Sequence, residues 1–207
     1  MNRDLILEAA AKLFAENGYH AITMNELSSS IGATKGLIYN YFKSKDDILG
    51  NIHLLYLQHY LSYMSTFYKR KFGSADEQLR TIIKAHVTFD FRNRGMLRVV
   101  WETFDISYSP DIQSKVYEKR REYFRKLKAV VKEAMQAGVL PQVDPNTATN
   151  LIIWSLDMTA MLHSDARISC NELANIVADF FIRNGHFKAD PSNTKVYAKR
   201  SKRLVKT

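Results

Sequence analysis

Between Thr23 and Asp47 the chain carries three helix-start signals in 25 residues, too many for one continuous helix. Thr23 to Glu26 spell T-x-x-E, a capping box. In it the threonine hydroxyl accepts from the third helical amide and the glutamate returns the bond to the cap. A short helix is therefore predicted from Met24, with Leu27 and Ile31 on one face because they are four apart. Gly32 stands where such a helix ends and the chain turns. Thr34 caps a second short helix over 35–42, whose apolar face is Ile38 and Phe42. Ser44 and Asp47 repeat the signal as S-x-x-D and open a third helix.

The second of these helices is too short to be stable alone. Its outer face carries Gly36, Tyr39, Asn40 and Lys43 rather than the Glu and Ala of an ordinary solvated helix. Two short helices joined by a tight turn, the second polar on its outer side, have the geometry that enters a major groove. Two helices of a plain bundle would carry the same caps but not the same outer face.

Composition permits a packed helical protein. Of 207 residues 46 % are apolar and 12 % aromatic, while only eight Gly and four Pro interrupt the chain. No apolar run approaches the ~20 residues of a membrane span. The start MNRDLILEAAAKLF has Asp4 and Glu8 within its apolar pattern and does not read as a signal peptide. The single cysteine, Cys170, excludes an intrachain disulfide and a Cys-rich zinc site, and a reduced cytoplasmic setting fits. The net charge of +9 is unevenly placed. Residues 188–207 hold seven basic side chains against one acidic, whereas residues 1–47 hold five basic (Arg3, Lys12, Lys35, Lys43, Lys45) against six acidic. Phosphate contact is local, so the placement of Lys35, Lys43 and Lys45 bears on DNA binding more than the total does.

The periodicity predicts an all-α protein of about nine helices: 3–17, the two short helices, 45–70, 75–92, 96–105, 111–137, 146–164 and 170–184. The first three share a small core of Ile6, Leu13, Phe14, Ile22, Leu27, Ile31, Ile38 and Phe42. The helix over 146–164 is apolar almost all round and should be buried on both sides. Residues 1–47 are expected to form a helix-turn-helix DNA-binding domain, 48–187 a helical effector-binding and dimerisation domain, and 188–207 a disordered basic tail that could add non-specific phosphate affinity.

The N-terminal segment resembles the TetR family of bacterial transcriptional regulators over about residues 3–50. Ile6, Ala9, Ala10, Leu13, Phe14 and Gly18 carry the resemblance in the first helix. Ile22-Thr23, Glu26-Leu27, Ile31-Gly32, Lys35-Gly36, Ile38-Tyr39, Tyr41-Phe42, Lys43-Ser44-Lys45 and Ile48-Leu49 carry it onward. It implies a dimeric cytoplasmic repressor that leaves a palindromic operator in double-stranded DNA when a small molecule binds. It implies DNA contacts at Thr34, Lys35 and Gly36, at Tyr39, Asn40 and Tyr41, and at Lys45; Asn25 is a further candidate on the helix before the turn. Met24 stands where a threonine hydroxyl is common in the family, and Leu37 where a polar residue is frequent, so contacts at those two positions differ here.

The C-terminal stripe Leu173, Ile176, Val177, Phe180 and Phe181, with Leu151 and Ile152, suggests a four-helix homodimer interface. A pocket for a largely hydrophobic effector is expected among Phe89, Met96, Trp101, Phe104, Tyr108, Tyr117, Phe124, Trp154, Met158 and Met161. His86, Glu102, Asp157 and Tyr123 are its polar candidates. Basic residues within 92–98 and 115–128 would suit an anionic, acyl-CoA-like ligand, and a solvated charged face explains the same residues. The alternative is a DNA-binding protein without an effector, whose C-terminal half only dimerises; aromatic side chains filling the pocket would favour it. No catalytic, cofactor or metal pattern is read: His163-Ser164-Asp165 are adjacent and cannot converge as a triad, and the six histidines include no i, i+4 histidine pair or H-E-x-x-H.

Overall fold

The structure, a computed structural model, describes residues 2–162 and 169–182. The triad letters His163-Ser164-Asp165, the expected helix ends near 164 and 184, and the basic tail lie outside the described residues. Nine helices and no strand occur among those described: α1 (Arg3–Asn17), α2 (Met24–Ser30), α3 (Lys35–Tyr39), α4 (Lys45–Lys69), α5 (Ala75–Arg92), α6 (Arg94–Glu102), α7 (Pro110–Gln136), α8 (Pro145–Leu162) and α9 (Cys170–Ile182). None of these helices is long and apolar enough to cross a membrane.

The expected starts are made by the expected atoms. Thr23 and Glu26 form both halves of the capping box, Thr34 Oγ1 accepts from Leu37 N at 3.2 Å, and Ser44 Oγ accepts from Asp47 N at 3.0 Å. Gly32, at φ 65°, turns the chain between α2 and α3 in a conformation that suits glycine. The helix predicted over 35–42 is shorter, because Asn40 already ends α3. Phe42 nevertheless stays buried with Ile38. The short apolar helix begins at Arg94 and ends at Glu102, two or three residues earlier than its periodicity suggested at each end.

Two apolar clusters result. One gathers Ile6, Phe14, Ile22, Leu27, Ile38 and Phe42 of the N-terminal helices with Ile48, Leu49, Ile52 and Leu55 from the first half of α4, and Val99 of α6 joins it. The other gathers the second half of α4 with α5, α7, α8 and α9. Two elements therefore belong to both. α4 runs through the two clusters in succession. α6 gives Val99 to the first and Leu97 to the second, and Met96 touches both.

The apolar surfaces of α8 and α9 divide differently from the expectation. Ile152, Leu173 and Val177 are buried within the single chain, the last two together with Ala174 and Ala178. α5 lies against α9 and takes up this inner face. A stripe at i, i+3, i+4 tells that a face is apolar, not which helix covers it. Leu151, Trp154, Ile176 and Phe180 are the exposed large apolar residues of these two helices, with Leu151 58 % accessible, so α8 is not covered on both sides by its own chain.

Candidate nucleic-acid interface and groove

The candidate contacts on α2 and α3 lie on one uncovered side of the N-terminal unit. Asn25, Thr34, Lys35, Gly36 and Asn40 are exposed, and Tyr39 and Tyr41 keep 50 % and 42 % of their surface in solvent. Each ring is half-covered, Tyr41 against Phe42, and the open half of its surface is available to a partner. A Cβ added at Gly36 would meet nothing within 4 Å, so the protein's own packing does not require a glycine there. A close approach by an external backbone would. The near-zero charge of this unit hides an arrangement. Glu26 is held by Thr23, Asp46 accepts from the Tyr19 hydroxyl, and Asp47 accepts from Lys43 N at 2.8 Å and from Asn51 Nδ2 at 2.9 Å. With Asp4, paired with Arg3 at 3.7 Å, four of its six acidic groups are engaged within the chain, while Lys35 and Lys43 are exposed.

Lys45 is placed differently from the other candidates. Its ammonium donates to the carbonyls of Tyr19 at 3.0 Å and Ile22 at 2.8 Å and lies 4.3 Å from the centre of the Tyr19 ring. It ties the α1–α2 loop to the start of α4, which leaves one of its three protons for a phosphate.

Behind this unit, α4, α6, α7 and α8 enclose an open groove of about 1180 Å³, at the upper end of the range for small-molecule sites. Leu57, Leu97, Val100, Trp101, Phe104, Tyr117, Phe124, Ile153 and Trp154 give it apolar and aromatic walls. Trp101 and Trp154 meet edge to face at 6.2 Å. Trp101 is half-buried against the core, whereas Trp154 remains 62 % and Phe104 64 % accessible and do not fill the groove. Of the ten residues expected to line a pocket, Trp101, Phe104, Tyr117, Phe124 and Trp154 do so. Phe89, Met96, Tyr108, Met158 and Met161 do not: Phe89 stacks with Tyr56, Tyr60 and Tyr63 in the core, Met96 and Met161 pack on the apolar clusters, and Tyr108 turns toward α4.

The charged lining comes from one long helix. Arg120, Arg121, Arg125 and Lys128 of α7 stand on the groove beside Glu118 and Glu122. Glu122 is bound by Lys119 and Lys126 at 3.3 and 3.4 Å, which holds its carboxyl below the usual carboxylate range against the opposing effect of burial. The arginines are therefore the less compensated charges. Sequence reading placed a basic stretch here; the spacing of Arg121, Arg125 and Lys128 at i, i+4, i+7 marks a single face. Asp157 and Tyr123, two of the four expected polar groups, also line the groove. Glu102 instead pairs with Arg98 at 2.6 Å on the surface, and His86 is buried behind the wall.

At the far edge of the groove the α6–α7 loop is fastened to α4. The Tyr108 hydroxyl donates to His53 Nδ1 at 2.7 Å, His53 Nε2 donates to Thr103 Oγ1 at 2.9 Å, and Thr103 Oγ1 donates to the Val99 carbonyl at 2.5 Å. Burial pushes the His53 imidazole down to about 3, and the Arg120 charge adds to this, so the ring is neutral and can accept at Nδ1. Arg120 also opposes the rise that burial imposes on Tyr108, which nonetheless reaches about 12. A groove residue thus acts electrostatically on both members of the latch. Gly50 makes the fit possible: a Cβ there would come within 2.7 Å of Ile112 Cγ2 and 2.9 Å of Tyr108 Cγ. Sequence periodicity could not reveal this, since Gly50 and Tyr108 are far apart in the chain.

Comparison with known proteins finds two family models in the chain. The family model described as bacterial regulatory proteins, tetR family, matches residues 6–52, and the one described as tetracyclin repressor-like, C-terminal domain, matches residues 73–184. A fatty acid metabolism regulator protein of Bacillus subtilis (strain 168) is 26 % identical over 186 residues, covering 88 % of this chain and 95 % of that protein. Among solved structures, the TetR family transcriptional regulator PfmR from Thermus thermophilus is similar at 27 % identity and a TM-score of 0.76, covering 86 % of this chain and 97 % of that one. The transcriptional regulator FadR from Bacillus subtilis, solved in complex with stearoyl-CoA, is similar at 25 % identity and a TM-score of 0.70, covering 88 % of this chain and 98 % of that one.

Proposed function

The chain belongs to the TetR family of bacterial regulatory proteins, a family of ligand-responsive DNA-binding transcriptional regulators, and from that premise we propose that it is a dimeric repressor released from a palindromic operator by a long-chain acyl-CoA. The observation that carries the effector is the groove. Its aromatic and aliphatic walls suit an acyl chain, and Arg120, Arg121, Arg125 and Lys128 at its margin suit the phosphates of a coenzyme A head group. An open groove, with Phe104 and Trp154 left largely exposed rather than filling it, also favours an effector over a C-terminal half that only dimerises.

Operator binding is assigned to Asn25, Thr34, Lys35, Gly36, Tyr39, Asn40 and Tyr41, with Asn40 reading a base edge and the tyrosines and Lys35 meeting the backbone. The free donor of Lys45 adds a phosphate contact. Dimerisation is assigned to the exposed residues Leu151, Ile176 and Phe180, which would set the two recognition helices about one DNA turn (~34 Å) apart. Release follows from α6, which borders the groove through Leu97, Val100 and Trp101 and the N-terminal core through Val99. An acyl chain that displaces α6 disturbs the Thr103–His53–Tyr108 latch, and α4 then carries the shift to the recognition helix. The ligand moves this equilibrium only by its differential affinity for the two states.

Selection of bound sequences from random duplexes, followed by titration of the selected operator with stearoyl-CoA, free stearate and coenzyme A, tests the reading. Stearoyl-CoA should weaken operator binding by tenfold or more, with stearate and coenzyme A far less effective. Recovery of no palindrome would overturn the dimeric-operator assignment. A palindrome bound equally well with stearoyl-CoA present would overturn the effector.

A further inference from the structure

One cluster sits behind the groove wall, and only Asp157 of its members reaches the groove. His86 and Asp90 are one turn apart on α5, and Asp157 reaches them from α8. His86 Nε2 lies 2.9 Å from Asp90 Oδ2 and 2.9 Å from Asp157 Oδ1. One ligand atom from each of the three groups falls within 4.8 Å of the other two. The side chains of His86 and Asp90 are 1 % and 0 % accessible. The sequence showed no pair of histidines at metal-binding spacing; here the i, i+4 partner of the histidine is an aspartate, and the third group comes from a distant helix.

We propose that His86 Nε2, Asp90 Oδ2 and Asp157 Oδ1 form a binding site for a divalent first-row transition-metal ion that joins α5 to α8 beneath the groove. Ligands at right angles around an ion at ~2.1 Å stand ~3.0 Å apart, whereas a tetrahedral arrangement would separate them by ~3.4 Å. The two separations of 2.9 Å match the spacing of neighbouring ligands around such an octahedral ion, and the third pair falls within 4.8 Å. A mixed imidazole and carboxylate set suits Mn²⁺, Fe²⁺, Co²⁺ or Zn²⁺ better than Ca²⁺ or Mg²⁺.

Two further observations point to a cation. The first is an orphan. Asp90 Oδ2 is fully buried, makes no well-aligned hydrogen bond and faces only His86 Nε2, at 2.9 Å, a nitrogen it shares with Asp157. A divalent ion at the shared point would meet one imidazole nitrogen and two carboxylate oxygens, a donor set whose two negative charges match its own. The second is the way each group is held. The atom turned away from the shared point has its own partner in every case: Tyr60 hydroxyl at 3.1 Å from His86 Nδ1, Tyr56 hydroxyl donating to Asp90 Oδ1 at 2.6 Å, and Trp101 Nε1 donating to Asp157 Oδ2 at 3.3 Å. Such outer partners orient metal ligands and fix which nitrogen of a histidine is free. Because Asp157 also lines the groove, the remaining coordination positions open toward it.

On binding, the ion replaces the proton of His86 Nε2, so one proton leaves for each ion bound. The test uses the full chain, stripped with chelator and dialysed at pH 7.5 against micromolar Mn²⁺, Co²⁺ or Zn²⁺, with metal per chain measured by mass spectrometry. One ion per chain is expected, visible d–d bands for Co²⁺, and release of about one proton when calorimetric titrations in buffers of different ionisation enthalpy are compared. Asp90→Asn and Asp157→Asn should abolish this binding, and Tyr60→Phe, which leaves all three ligands in place, should weaken it ~10–100-fold. No ion on the wild-type chain, binding without proton release, or binding unchanged in Asp90→Asn and Asp157→Asn would overturn the site. If either asparagine variant fails to fold, the wild-type stoichiometry, the proton count and Tyr60→Phe still decide.

Discussion

The helices of the N-terminal unit and two of the helices that line the groove, α6 and α7, begin in different ways. Each of α1 to α4 starts on a side-chain cap: Asn2, Thr23, Thr34 and Ser44. α6 and α7, which border the groove, start with no side-chain cap hydrogen bond. The N-terminal unit also buries almost no ionisable side chain, while the C-terminal body buries His86 and Asp90 and seals His53 against the α6–α7 loop. The reading unit is thus specified locally and stays one shape. The body depends on packing and on polar groups that lose partners when a helix shifts, which suits a part that must change state.

The comparison predicts different responses to damage, and the largest should come from the apolar core of the reading unit. Phe14 is fully buried, so Phe14→Ala should cost about 3–5 kcal/mol. Because α4 belongs to both clusters, urea unfolding followed by circular dichroism and by tryptophan emission should still show one transition. Trp101 and Trp154 both lie in the body. Loss of helix signal ahead of the tryptophan change would mean that the two regions fold separately, and the shared role of α4 would fall.

The next effect sits at the joint. His53 has its folded value depressed to about 3, against 6.5 when unfolded. The unfolded chain therefore takes up a proton in the window between these values and the folded chain does not. This group's contribution is complete above pH 6.5 and is lost as pH falls toward 3. Between pH 7 and pH 5 the loss should approach about 2 kcal/mol. His53→Gln should remove that part of the pH dependence, and an unchanged difference in urea midpoints would mean that His53 is not buried in its neutral form.

Much of this division is legible in the sequence, and the reason is range. Capping boxes, glycine stops and i, i+4 faces are decided within four residues, so α1 to α4 are readable one after another. The groove, the latch and the buried cluster join residues from separate helices. His86 and Asp157 stand on α5 and α8, and no local pattern announces that they meet. Ambiguity entered wherever a side chain could serve two environments. Phe89, Met96 and Tyr108 have the composition of a pocket lining yet pack elsewhere, and Leu173 and Val177 have the pattern of an interface yet face α5.

Gly50→Ala would probe the joint more gently. Alanine favours the helix by up to about 1 kcal/mol. Its methyl would, however, press on Ile112 and Tyr108, which must give way by several tenths of an ångström. Overpacking costs about 1–3 kcal/mol, so a net loss of about 1 kcal/mol is expected. The latch should loosen at the same time, and operator affinity should then depend less on the effector. Full ligand response with unchanged stability would remove the Gly50 contact from the coupling path.

The smallest effect would separate the two regions most cleanly, by making the same change in each. Thr34 caps α3 and Ser74 caps α5, each hydroxyl accepting from an amide at 3.2 Å. Either residue replaced by alanine loses one cap, worth about 1 kcal/mol or less. α5 has 18 residues and packs against α4, α7, α8 and α9, so Ser74→Ala should appear only as a slight fall in stability. α3 has five residues and only Ile38 among them is buried. Its first turn can fray in Thr34→Ala without unfolding the core. The cost would then be met when DNA orders that turn and, with the operator contact assigned to Thr34, would appear as a roughly threefold to fivefold or larger loss of operator affinity by fluorescence anisotropy with little change in urea midpoint. An equal loss of operator affinity in Ser74→Ala would show that caps in the body also shape the reading surface, and the contrast between a locally specified reader and a packing-specified body would not hold.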